Sequence, residues 1–280
     1  MYEDILYDVQ DPVATITLNL NALRDRTSRE LMQALAEAEQ DPRVVGIVLT
    51  GAGRGFCGGL DMQALATIQE AGEIASYRES DDVPQAEPGA PLAEGYGYGY
   101  IMSLRKPVVV AVNGACAGLG FSLAMFCDLR FASESAIFTT QFAQRGLVAE
   151  HGMGWVLSRP IGPSRALDVL CSGRRLSANE ALELGLTNRV VAPEDLLGEA
   201  QGYIEQLAST ASPKALMQMK SQVYRYLNQP LGTAMADTGQ LQDISVKWPD
   251  LQEGIASFVE RRPPQFSRLS KAEPQWGRDE

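Results

Sequence analysis

Apolar and polar residues alternate with a period of two through Val13–Asn19, V-A-T-I-T-L-N, which predicts a strand with one buried face. From Thr27 the period lengthens. Leu31, Leu35 and Ala38 recur at helical spacing up to Gln40, Thr27-Ser28-Arg29-Glu30 has the form of a capping box, and Asp41-Pro42 closes the helix. Val44–Thr50 is then a β-branched apolar run, the pattern of a buried strand. It leads into Gly51–Asp61, G-A-G-R-G-F-C-G-G-L-D, where five glycines in eleven residues let the backbone turn tightly and present its own N–H groups. Apolar periodicity from Leu60 onward predicts a helix start there.

From about Gly72 to Pro91 the chain turns polar, acidic and proline-bearing, which predicts a loop, either a solvated linker or a lid. Gly95–Tyr100, G-Y-G-Y-G-Y, brings tyrosines that either line a pocket or pack in the core. Lys106-Pro107 introduces a second buried strand, Val108–Val112. A second glycine loop follows, Asn113–Gly120, and runs into the apolar helix F-S-L-A-M-F-C. Strand, glycine turn and helix N-terminus therefore occur twice. Short strands are predicted at Asp128–Ala132 and Ala136–Thr140, and Gln144–Trp155 reads as a loop opening another helix. Helical patterns and a strand at R-V-V come next, and from Pro193 onward the pattern is almost wholly helical.

Composition narrows the function. A length of 280 residues, 45% apolar and 21% charged, allows one large domain with a substantial core. A net charge of −11 argues against nucleic acid as a partner. A single histidine excludes multi-histidine metal sites, and the reading is no metal. The four cysteines form no C-x-x-C pair and read as buried or half-buried free thiols in a reducing compartment. No stretch is long and apolar enough for a membrane span, and no signal peptide is evident. The expected location is the cytoplasm.

Two helix starts whose N–H groups converge on one point form an oxyanion hole, which stabilises negative charge on an oxygen without a cation. Joined to one proton-moving carboxylate, such a site suits chemistry alpha to a carbonyl. The pieces G-I-V-L-T-G-A-G-R-G-F-C-G-G-L-D, K-P-V-V-V-A-V-N-G-A-C-A-G-L-G, C-D-L-R-F-A-S-E-S-A-I-F, S-A-N-E-A-L-E-L-G-L and E-G-I-A-S-F-V-E-R-R-P-P-Q-F occur in this order. With them the chain resembles the crotonase (enoyl-CoA hydratase/isomerase) superfamily over nearly its full length. The resemblance implies an α/β fold, a spiral of ββα units over residues 1–195, with a helical trimerisation region over 196–280. It also implies acyl-CoA thioester substrates, no cofactor beyond the coenzyme A of the substrate, and a homotrimer or dimer of trimers.

Carried over by position, the oxyanion donors are the N–H groups of Leu60, after the glycine pair, and Leu119, the middle residue of what is G-G-G in the family. Coenzyme A contacts fall to Ala22, Arg24, Phe56, Gly59, Asp61 and Met62, with Gly118 beside the second donor. Phe266, near Arg261 and Arg262, falls where the family's C-terminal segment approaches coenzyme A. The family's L-N-R-P loop is shortened here to L-N-L-N-A-L, and Arg24, Arg26 or Arg54 is expected to supply its charge.

The family's hydratases use two glutamates, and both are absent: Ser122 and Phe142 occupy their positions, Phe142 as a lining of the acyl pocket. The two-glutamate hydration mechanism does not carry over. Glu150, in L-V-A-E-H-G, falls where several isomerases and some hydrolytic relatives place a catalytic acid. It is the expected acid/base, with isomerisation favoured over hydration and a helix start pulling on it against an apolar pocket. If the backbone is extended there, His151 points the other way. A carbon–carbon or thioester hydrolase, and an acyl-CoA binding protein without chemistry, are the alternatives.

Overall fold

The computed structural model describes residues 2–20, 22–60, 66–67, 69–70 and 97–271, and two sheets organise them. The hairpin of β1 (Ile5–Gln10) and β2 (Val13–Leu18) is antiparallel, with Ile5 opposite Leu18. Every later strand of the large sheet is parallel: β3 (Gly46–Gly51), β5 (Val108–Val112), β7 (Leu129–Ser133) and β10 (Arg189–Val191). The small sheet holds β4 (Gly55–Cys57), β6 (Ala115–Ala117), β8 (Ile137–Thr139) and β9 (Leu176–Ser177). Three successive units, β3/β4, β5/β6 and β7/β8, thus place their first strand in the large sheet and their second in the small one. That is the expected ββα spiral.

Burial explains the strand patterns. β3 and β5 are covered on both faces, and so they are continuous apolar runs. Ile47, Leu49, Val110 and Val112 face the main core with Phe56, Phe121 and Phe138. Val48, Val109, Ala111 and Phe131 face outward and are covered by Leu196, Ala200 and Ile204 of helix α6 (Leu196–Thr210). Helices α7 (Pro213–Tyr226), α8 (Leu231–Ser245) and α9 (Pro249–Glu260) follow, and the chain beyond Arg261 is not helical as far as Lys271. A buried ion pair, Arg105 Nε to Glu39 Oε1 at 2.5 Å, ties helix α1 (Asp25–Gln40) to the segment before β5, and Arg105 also donates to the Ser270 carbonyl at 3.1 Å.

Local signals were shifted where long-range contacts intervened. Helix α1 starts two residues before Thr27, with Arg24 as its N-cap. Thr27 Oγ1 accepts from the Arg24 N–H at 3.2 Å and donates to Asp4 at 2.8 Å, while Glu30 accepts from the N–H of Asp4 at 2.8 Å. The apparent capping box therefore ties the start of β1 to the helix. Leu60 is not a helix start: it forms a parallel bridge with Leu23, and helical residues are described only at 66–67 and 69–70. The expected loop from Gly72 to Pro91 lies outside the described residues. Of the four thiols, Cys171 is exposed rather than covered. Among the described residues no helix is long and apolar enough to cross a membrane, and no three His, Cys, Asp or Glu groups gather as a metal site.

Candidate active site

The two glycine loops meet because the strands feeding them are paired. In β4 and β6, Gly55 lies opposite Ala115 and Cys57 opposite Cys116. Past β6 the Gly118 N–H donates to the Thr139 carbonyl of β8 at 3.0 Å, and the chain turns through φ 51°, ψ −118° at Gly118, a region that side chains disfavour. Helix α3 (Leu119–Phe126) begins at once. As the first residue of the helix, Leu119 has an N–H outside the intrahelical ladder, at the positive end of the helix. The first loop touches this point. A Cβ placed on Gly59 would lie 3.4 Å from the Leu119 nitrogen and 3.1 Å from the Ala117 carbonyl oxygen.

The sequence also brings the shortened N-terminal turn to the same place. The Leu23 N–H donates to the Gly59 carbonyl at 2.8 Å, and so Ala22–Arg24 lies along Gly59–Leu60. Ala22 is partly exposed and Arg24 exposed. Arg26 pairs with Glu3, and Arg54 is exposed on the first loop. Phe56 is wholly inside the core, backbone included, so it presents no surface for the expected coenzyme A contact. Asp61 and Met62 lie outside the described residues. Phe266 is held against Gly254 of α9, and Arg262 is paired with Glu253 and Glu260.

No carboxylate stands at either of the two positions the hydratases use. Ser122, buried one turn into α3, donates its hydroxyl to the Gly118 carbonyl at 3.4 Å, and Phe142 is buried against the core. Among the described residues, the acid that the sequence singled out, Glu150, lies close to α3 in the chain's packing. It is half-buried, its carbonyl accepts from the Met153 N–H at 3.0 Å, and it directly precedes helix α4 (Met153–Ser172), which packs on α3. Burial pushes the Glu150 carboxyl above its ordinary value. Burial also pushes the His151 imidazole down, which favours its neutral form. Three thiols are no rivals as nucleophiles: burial raises Cys57 to about 11 and Cys127 to about 12, and holds Cys116 well above its usual value.

One feature was not legible in the pattern. His151 is left-handed, φ 52°, and not extended, so the argument that it points away from Glu150 does not apply. Its ring lies 5.6 Å from that of Tyr98, on the turn of 3-10 helix Gly97–Gly99, and Tyr98 in turn lies 6.4 Å from Phe126 of α3. The G-Y-G-Y-G-Y run was the available signal. Of its tyrosines, Tyr98 and Tyr100 are buried.

An N–H pair beside a thioester carbonyl and a half-buried carboxyl can together hold an enolate and move its proton. Comparison with known proteins gives the family. The family described as enoyl-CoA hydratase/isomerase matches residues 8–269. A probable enoyl-CoA hydratase of Rhizobium meliloti is 34% identical over 275 residues, covering 95% of this chain and 98% of its own. The 1,2-epoxyphenylacetyl-CoA isomerase of Escherichia coli is 33% identical over 273 residues, covering 95% and 99%. The solved enoyl-CoA hydratase of Bacillus anthracis superposes with a TM-score of 0.83 at 28% identity, over 95% of this chain and 99% of that one.

Proposed function

The chain belongs to the enoyl-CoA hydratase/isomerase family and is an enzyme of that family; from that premise we propose that it shifts the double bond of an enoyl-CoA thioester through a dienolate. The thioester oxygen accepts hydrogen bonds from the Leu60 and Leu119 N–H groups. Glu150, as carboxylate, takes a proton from carbon 2 of a 3-enoyl chain. Electrons move onto the thioester oxygen, and the protonated Glu150 returns the proton to carbon 4, leaving a 2-enoyl thioester and the starting carboxylate. One group suffices for both transfers, because the proton removed is the proton returned. The close approach of the two loops supports this reading: a Cβ on Gly59 would lie 3.4 Å from the Leu119 nitrogen, and one on Gly120 would lie 2.5 Å from the Cys57 carbonyl oxygen.

Ser122 and Phe142 weigh against two-glutamate hydration, leaving Glu150 to activate water alone if hydration occurs. The substrate brings its own coenzyme A, and the chemistry needs no other cofactor. Exposed apolar side chains on α7–α9, including Val223, Met235, Ile255 and Phe258, support assembly into a homotrimer or dimer of trimers. Free thiols fit a cytoplasmic setting.

Product analysis tests the reaction. Offered 3-enoyl-CoA, 2-enoyl-CoA and a β-diketone, the enzyme is expected to interconvert the two enoyl thioesters. A 3-hydroxyacyl product would assign hydration, cleavage of the diketone would assign hydrolysis, and tight binding without turnover would assign a binding protein.

A further inference from the structure

The segment that carries Glu150 is held firmly at its front and loosely in its middle. At the front, left-handed Gln141 (φ 53°) accepts from Arg145 Nη1 through its side chain at 2.6 Å, Phe142 is buried, and the Leu147 N–H donates to the Phe142 carbonyl at 3.0 Å. After Leu147 the next backbone anchor among the described residues is the Met153 N–H on the Glu150 carbonyl, and Val148 between them is 81% exposed. His151 and Gly152 are then left-handed in succession, at φ 52° and 66°. Glycine takes that conformation freely, whereas histidine adopts it under strain and only where its surroundings hold it.

An aromatic contact helps to hold it. The imidazole lies 5.6 Å from the Tyr98 ring at 37°, and Tyr98 is buried and braced by Phe126 at 6.4 Å, separations at which ring pairs attract. Phe126 ends the helix that Leu119 begins. A continuous line of packed groups therefore runs from the oxyanion helix through Phe126, Tyr98 and His151 to Glu150.

We propose that the Tyr98–His151 ring pair positions Glu150 relative to the N-terminus of α3, with His151 acting as a positioning residue and carrying no proton. The inference rests on Glu150 being the acid/base. The ring contact fixes the rotation at residue 151, and so fixes where the preceding side chain starts. Losing it leaves Glu150 on an exposed loop, free to sample positions about an ångström off, an error that costs on the order of 100-fold in rate at worst.

Four variants test this on acyl-CoA turnover: His151→Asn, which tolerates the left-handed backbone but has no ring; His151→Phe, which keeps a ring without nitrogens; Tyr98→Leu; and the double variant of His151→Asn with Tyr98→Leu. The expected result is a fall in kcat of about 10- to 100-fold for His151→Asn and for Tyr98→Leu with little change in KM. Phenylalanine at 151 should recover most of kcat with an unaltered pH profile, and the double variant should lose no more than the worse single one. Wild-type kcat in His151→Asn overturns the proposal, as does a His151→Phe variant as slow as His151→Asn with a displaced pH profile, which would make the imidazole itself the proton carrier. Should Tyr98→Leu fail to fold, the contrast between the two His151 variants decides alone. Glu150→Gln, assayed beside them, separates the two levels: full activity there removes the acid/base reading itself, whereas loss of activity there with wild-type kcat in His151→Asn removes only the ring-pair inference.

Discussion

The two halves of the site are built in opposite ways. The proposed oxyanion half is made of backbone: two closely packed loops, fed by paired strands and closed at helix α3, with Gly120 so confined that a Cβ there would lie 2.5 Å from the Cys57 carbonyl oxygen. The acid half is one side chain on a segment fixed at its ends, with exposed Val148 beside Glu150. A donor that must not move is best made of main chain, because each N–H is positioned by the bonds of its neighbours. A proton carrier must ionise and exchange, and half-burial with a raised carboxyl pKa suits that work. In the proposed mechanism the first half sets which functional group is activated, and the second sets what then happens to it.

The contrast can be broken from either side. The largest effect is on stability: Glu39→Ala removes the carboxylate that pairs with the buried Arg105 guanidinium and should cost about 3–5 kcal/mol in chemical denaturation, while leaving kcat per folded molecule unchanged. Next is Leu119→Pro, which deletes the proposed N–H at a first helical position where proline is tolerated. Its kcat per folded molecule should fall on the order of 100- to 1,000-fold, while loss of the buried leucine side chain also lowers Tm. A normal rate would remove Leu119 from the oxyanion hole.

The acid half should show itself in pH. As a base Glu150 works as the anion, and burial raises its pKa, so activity should rise with pH along a limb displaced above the usual glutamate value of about 4.3. The sign for stability is the reverse. The folded state holds this proton more tightly than the unfolded state, so Glu150 lowers stability as pH climbs from its unfolded pKa through its raised folded one. Replacing it by glutamine should then leave Tm at neutral pH unchanged or higher, whereas a clear drop would show that the carboxylate is structurally held. Smallest is Thr27→Val, which removes the bonds to Arg24 and Asp4 and should cost about 1 kcal/mol without kinetic effect.

The sequence carried the strands and glycine turns of the two loops well and the Glu150 segment poorly, for physical reasons. Strand-glycine-helix units are local, so Val108–Val112 and the helix after Gly118 could be read from adjacent residues. The three-residue strand β6 between them was too short to give a period. Thr27 looked like a helix cap because its spacing to Glu30 is right, yet both side chains answer to β1, which no local pattern announces. Glu150 could be singled out by position, but the direction of its titration depended on burial. The left-handed turn at His151 depends on Tyr98, distant in sequence, and the tyrosine run gave no hint of which ring would meet it.

The most direct measurement is the rate of 3-enoyl-CoA to 2-enoyl-CoA conversion by wild type and by Glu150→Gln, each first shown to be folded by near-ultraviolet circular dichroism. The wild type should turn over, and the glutamine variant should be slower by on the order of 1,000-fold, within the range that a positioned acid/base supplies. Equal rates for the two proteins would contradict the assignment, and with it the division of labour between a backbone that holds the enolate and a side chain that moves its proton.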